Sequence, residues 1–354
     1  MPTKPLPKPV SERTLQRKYA QLTEVTHGRI DVSTKSGSRI SSLLHRYFAA
    51  FSNLYGTIPL RTAWQLFCEV EPDLIKQKKV LRKDFFAFSD ILRAELLPYY
   101  VLNENEIWPE GSDDKPVSRM VVNKKLIGRG YYRFHDLDVL MNSQDDKPYL
   151  LLKKEEYLPW AEPDHFRKSP CAQDLLRFLK DLRVANDSEN LDIEGRPIHG
   201  KTLNKFIFWH RDEHFSYNYT SRKWEKEALA AENNIIESEK LMRKIERNIQ
   251  LGDPLIPPSL FFRFLIRDLE EVGVHLNETR LDRLFQLCVN LNNKNHLWCN
   301  RGWSPEAMAS MTQPDSPPSI SFGPGLQEAF ANGDLDRAEL ERMLTERGIQ
   351  IDPL

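Results

Sequence analysis

The chain has 354 residues, of which 40% are hydrophobic and 29% charged, and a formal net charge of −1. That much apolar material suffices for a packed core and excludes a disordered chain, while the length suggests two or three domains. The near-neutral balance excludes polyanion binding by bulk charge, so any basic surface must be local.

The first segment, residues 1–38, reads as a flexible basic arm. Lys4, Lys8, Arg13, Arg17, Lys18, Arg29 and Lys35 outnumber Glu12, Glu24 and Asp31. Pro2, Pro5, Pro7 and Pro9 oppose a helix at the start, because proline lacks an N–H and clashes with the preceding turn. A short helix is expected near 12–22. The start has no apolar stretch and does not read as a secretory signal.

A winged-helix-like domain is expected over 39–145. Leu43, Leu44, Tyr47, Phe48, Phe51 and Leu54 repeat at helical spacing, and Gly56 fits the position just past a helix end. Pro59 opens a second helix through Trp64, Leu66 and Phe67, and a third covers about 81–96. Residues 99–102 and 119–127 then read as strands, separated by Gly111, Ser112 and Asp113 and followed by Gly128 and Gly130. Three helices followed by a β-ribbon is the element order of a winged helix.

Residues 146–200 form a Pro-rich connector with a helix at 169–182 and a polar, turn-rich end. A helical domain follows over 201–311, with helices expected at 222–251, 259–272 and 277–293; Gly252, Asp253 and Pro254 stop the first. Residues 312–354 read as a linker and helical tail, where Asp336 and Glu339 make a capping box and Leu335 and Leu340 a hydrophobic staple. The expected fold class is α+β and dominantly helical. No run approaches the roughly 18 consecutive apolar residues of a membrane span, so no membrane partner is expected.

Four constellations carry candidate chemistry. The first is basic: Lys115, Arg119, Lys124, Lys125, Arg129 and Arg133 lie in a stretch without acids, with Tyr131 and Tyr132 interleaved. Lys76, Lys78, Lys79, Arg82 and Lys83 crowd the start of the third helix. Phosphate binding needs such charge on one face, and the candidate nucleic-acid contacts are Lys79, Arg82, Lys83, Arg119, Lys124, Lys125, Arg129 and Arg133. The competing reading is a solvated ribbon whose charges protect an edge strand.

The second, His210-Arg211-Asp212-Glu213-His214, matches H-x-x-E-H. In that order two histidines one helical turn apart hold zinc and the carboxylate activates water. His210, Glu213 and His214 are thus the candidate metal set of an alternative zinc-dependent hydrolase, although no third ligand stands out. The third is a heptad stripe, Trp224, Ala228, Ala231, Ile235, Ser238, Met242, Ile245 and Ile249, which either packs internally or makes helix 222–251 a partner or self-association surface. The fourth is the corner Trp298, Arg301, Gly302, Trp303, Ser304 and Pro305. It reads as a joint between helices, Ser304 capping and Pro305 opening the next, or as a partner surface in which Trp298, Arg301 and Trp303 act together.

Cys68, Cys171, Cys288 and Cys299 form no C-x-x-C and read as reduced core thiols of a cytoplasmic protein. There is no Walker loop, dinucleotide fingerprint or G-x-S-x-G elbow, and no cofactor is expected.

Several stretches resemble one family. They are Lys147-Pro148-Tyr149, Trp160-Ala161-Glu162-Pro163-Asp164 with the helix at 172–179, residues 290–305, and Ser321-Phe322-Gly323-Pro324 with the tail helix; Leu54-Tyr55-Gly56 also fits. The likeness is to uncharacterised bacterial cytoplasmic proteins that often carry a Rho N-terminal-like module or a SEC-C metal-binding tail. The chain lacks the SEC-C cysteines, so the resemblance implies an intracellular protein with a helical C-terminal half, no zinc tail and no catalytic residues. The function expected is that of a non-catalytic binding or regulatory protein, associated with nucleic acid.

Overall fold

The computed structural model describes residues 5–30, 40–108, 115–128, 133–182, 238–271 and 274–312, with short pieces at 319–320, 340–342 and 350–351. It is mostly helical with a small antiparallel sheet, and the chain divides into two compact units, 1–304 and 305–354.

Helix α2 (Ile40–Tyr55) forms the centre of the first unit. Its apolar spacing wraps more than one face, so Leu44, Tyr47, Phe48, Phe51, Leu54 and Tyr55 are all fully buried. Gly56 ends it at φ +70°, where an added Cβ would lie 2.7 Å from the Trp298 ring and 2.8 Å from Leu140. Only glycine satisfies both the left-handed backbone and that close approach. Strand β1 (Thr57–Pro59), α3 (Leu60–Val70), the short α4 (Pro72–Lys76) and α5 (Arg82–Leu92) follow, then β2 (Tyr99–Asn103), the one-turn α6 (Glu104–Ile107) and β3 (Arg119–Asn123).

The sheet order is β1-β3-β2, with Val122 of β3 opposite both Thr57 and Tyr100. β1 was not foreseen, since three residues are too short for a period. It lies on an edge, which tolerates the missing N–H of Pro59. β3 stops at Asn123, short of the expected 127, because the Asn123 side chain accepts the Lys125 N–H at 3.0 Å and starts a 3₁₀ turn.

The described part of the basic arm is docked and more helical than expected. Ser11 caps α1 (Glu12–Val25), and Leu22 and Ile30 are buried. Arg29 donates twice to Asp84 of α5, at 2.6 and 2.9 Å, and the Val10 N–H reaches the Ala94 carbonyl at 2.9 Å. These anchors are too sparse to produce an apolar period.

Helices α7 (His135–Gln144), α8 (Lys154–Tyr157), α9 (Pro170–Lys180), α10 (Ser238–Leu251), α11 (Pro258–Glu271) and α12 (Glu278–Lys294) complete the first unit. Ser169 and Asn277 cap α9 and α12 with their side chains, and both helices fall within two residues of the expected bounds. α9 packs on α10 and α12. Ser238, Met242, Ile245 and Ile249 of the heptad stripe are buried inside the chain, so this half of the seam packs internally; Trp224, Ala228, Ala231 and Ile235 lie outside the described residues. A single core cluster runs from Leu22 to Cys299.

The second unit holds a helix at Pro305–Thr312, a helical turn at 340–342 and a parallel pairing of Ser319–Ile320 with Gln350–Ile351. The capping box of Asp336 and Glu339 lies outside the described residues. Among the described residues no helix is long and apolar enough to cross a membrane.

Candidate nucleic-acid interface

The turn from α4 into α5 gathers positive charge. Lys76, Lys78, Lys79, Arg82 and Lys83 are all exposed. Lys78 takes a left-handed backbone, φ 54°, which reverses the chain, and Val80 is fully buried and anchors the turn. Asp84, the acid next to this run, is 1% exposed: it accepts the Leu81 N–H at 2.9 Å and both bonds from Arg29. The nearest exposed acid upstream is Asp73. The Arg82 guanidinium lies 5.5 Å from the Phe86 ring centroid. Unsatisfied N–H groups at the start of α5 add partial positive charge to the same place.

The ribbon cations have other work. Arg119 is buried, donating from Nε to Asn103 at 3.0 Å and from Nη1 to the Ser89 hydroxyl at 2.6 Å, with Nη2 2.7 Å from Asp90. It ties β3 to β2 and α5. The Lys124 ammonium lies 4.9 Å from the Tyr100 ring centroid, and burial lowers its pKa. Lys125 pairs with Asp164 at 3.0 Å and Glu246 at 3.4 Å. The half-buried Arg133 guanidinium lies 4.9 Å from the Phe134 ring, and Arg129 lies outside the described residues. The expected constellation therefore divides. Lys79, Arg82 and Lys83 share one exposed turn, whereas Arg119, Lys124 and Lys125 engage the chain's own groups.

The Trp298 corner is a clamp. The Trp298 indole N–H donates to the Asn53 carbonyl at 2.7 Å, and its backbone N–H to the Gln250 side chain at 2.7 Å. Gln144 donates to the carbonyls of Tyr55 and Trp298. Arg301 donates to the carbonyls of Lys147 and Asp145 and lies 4.6 Å above the Tyr149 ring. Trp303 donates to the Pro148 carbonyl at 3.1 Å. The Lys147 ammonium returns the link, donating to the carbonyls of Ser143 and Cys299 and to the Asn300 side chain. The polar groups of Trp298, Arg301 and Trp303 thus join the end of α2, the 145–150 loop and α10.

Two further clusters escaped sequence reasoning because their members are far apart in the chain. Tyr19, His45 and Glu95 meet through the Tyr19 hydroxyl. His165 and His296 both pack edge-on against Trp160. All four cysteines are unpaired, and burial pushes the Cys288 thiol up to about 12 and that of Cys299 to about 11. His210, Glu213 and His214 lie outside the described residues, and among the described residues no three His, Cys, Asp or Glu side chains are grouped to hold a metal.

The chain matches no protein-family model, no curated protein and no solved structure.

Proposed function

We propose that the protein is a non-catalytic, cytoplasmic binding or regulatory protein whose winged-helix-like module, residues 40–128, grips duplex nucleic acid through the α4–α5 turn. The observation that carries this reading is the exposure of five bases within 76–83 while the adjoining acid, Asp84, is buried and neutralised by Arg29. A local run of this kind can bind phosphate despite a net charge of −1, because the attraction acts within about 10 Å at ordinary salt.

The topology supports the module. With the short α4 and α6 set aside, helix, strand, helix, helix, strand and strand follow in order as α2, β1, α3, α5, β2 and β3, and the sheet runs β1-β3-β2. In a winged helix the third helix is the one that enters the groove, and here that helix is α5. Four unpaired thiols accord with a reducing compartment.

Fluorescence anisotropy with a labelled duplex tests the reading. Binding in the range of roughly 10⁻⁴ to 10⁻⁶ M is expected, with a log–log salt slope of about −3 to −5. The triple variant Lys79→Glu, Arg82→Glu, Lys83→Glu should abolish it without changing the fold. No binding at low salt, or full binding by the triple variant, overturns it.

A further inference from the structure

The start of α5 meets two opposed demands. The helix needs an acceptor in its first turn, and Asp84 supplies one by taking the Leu81 N–H at 2.9 Å. A carboxylate suits that place, because the free N–H groups of a helix start are partly positive. The same carboxylate would repel a phosphate held by Lys79, Arg82 and Lys83. Arg29 reconciles the two. Its Nε donates to Oδ2 of Asp84 at 2.6 Å and its Nη2 to Oδ1 at 2.9 Å, a two-pronged pair in which the charges cancel. The arginine side chain is 20% exposed and the aspartate 1%, so water and salt screen the pair weakly.

The local sequence builds the turn that delivers Arg29. His27 and Gly28 take left-handed backbone, φ 51° and 74°, and reverse the chain after α1. The Gly28 N–H reaches the Thr23 carbonyl at 2.8 Å. The buried Thr26 hydroxyl accepts the Ile30 N–H at 3.3 Å, and the Thr23 hydroxyl lies 3.2 Å from the Ile30 carbonyl. Ile30 itself is fully buried. Arg29 therefore stands between two fixed neighbours. At the other end of α5 the Val10 N–H bonds to the Ala94 carbonyl, so the arm is tied to both ends of the helix.

We propose that the N-terminal arm is part of the nucleic-acid site: Arg29 is a positioning residue that cancels the Asp84 charge beside the phosphate-binding turn, acting through Asp84 and touching no phosphate itself. This rests on the reading of the α4–α5 turn as a phosphate site. Without Arg29, the exposed run Lys76, Lys78, Lys79, Arg82 and Lys83 would end on an uncompensated anion. A unit charge within about 10 Å of a bound phosphate shifts affinity roughly threefold at low salt. The arm thus acts on binding through charge, over and above its packing on α5.

Anisotropy with a labelled duplex tests it on the full chain at low salt and about pH 8, far above the ordinary aspartate value of about 3.9. Arg29→Gln removes the cation but keeps an amide that can donate to Asp84, and should bind roughly threefold or more weakly than the wild type. Arg29→Gln combined with Asp84→Asn removes both charges and keeps an acceptor for the Leu81 N–H. It should return to within about twofold of the wild type. A role in packing alone, or a direct phosphate contact by Arg29, would leave the double variant as weak as the single one, and that result overturns the proposal. So does wild-type affinity in Arg29→Gln. Either outcome leaves the reading of the turn standing, whereas a wild type that does not bind overturns both. Should Arg29→Gln fail to fold, Asp84→Asn alone decides: it frees the Arg29 charge and should tighten binding, and equal or weaker binding by the folded variant overturns the proposal.

Discussion

Arg119 on β3 meets Asp90 on α5 at 2.7 Å, with 7% of the arginine side chain exposed against 53% of the aspartate. The asymmetry predicts unequal mutant costs. Arg119→Ala strands the Asn103 and Ser89 oxygens, both bound by the guanidinium, and should cost about 2–4 kcal/mol in urea denaturation. Asp90→Asn removes only a solvent-screened partner and should cost about 1 kcal/mol or less. Arg119→Lys keeps the charge but loses the planar fork, and should fall between them. Similar losses for all three would remove the structural role assigned to Arg119.

That residue also marks the limit of legibility. As text, Arg119 belongs to a run of cations, and nothing near it in sequence says that its partners are Ser89, Asp90 and Asn103. Pairing between distant segments decides such roles. α2, α9 and α12 were readable because their cores repeat every three or four residues, and the Lys76–Lys83 charge run was readable because it is local. β1 and the docking of α1 were not, since three residues carry no period and the arm is held by scattered anchors such as Leu22 and Arg29. The Trp298 corner was legible as a joint because tryptophan, glycine and a capping serine are themselves local signals, while its tie to Asn53 was not.

Gly56→Ala should be strongly destabilising. The residue sits at φ +70°, where a side chain costs about 1–3 kcal/mol. The new methyl would also lie 2.7 Å from the Trp298 ring, and overpacking adds about 1–3 kcal/mol. A loss of more than about 2 kcal/mol in the denaturation midpoint analysis is expected. Gly28 provides the control: it shares a positive φ, +74°, but a Cβ there meets nothing within 4 Å, so Gly28→Ala should cost about 1–2 kcal/mol from the backbone alone.

The thiols should label in a fixed order. With pKa values near 12 for Cys288 and 11 for Cys299, the reactive thiolate is scarce at neutral pH, and Cys299 is also enclosed by Gly252. A disulfide reagent should modify half-buried Cys68 and Cys171 first, half-buried Cys288 more slowly for want of thiolate, and buried Cys299 last, at the rate of unfolding. Fast four-fold labelling of the native protein would contradict this packing.

The histidines at Trp160 predict an acid effect on global stability. His165 and His296 pack edge-on against that ring, with centroids at 4.8 and 5.4 Å. His296 Nδ1 donates to the Gly302 carbonyl at 2.5 Å, while Nδ1 of His165 is buried with no hydrogen-bond partner. Burial lowers both pKa values, and the Lys168 and His296 charges lower that of His165 further. Because the folded values lie below the free imidazole, the stability they confer is complete above about pH 6.5 and declines as the pH falls through and below it. The urea midpoint should therefore drop between about pH 7 and about pH 5, above the range where ordinary carboxylates near 4 begin to protonate. His165→Gln combined with His296→Gln should flatten that slope. A slope unchanged in the double variant would mean that the histidines at Trp160 do not govern it.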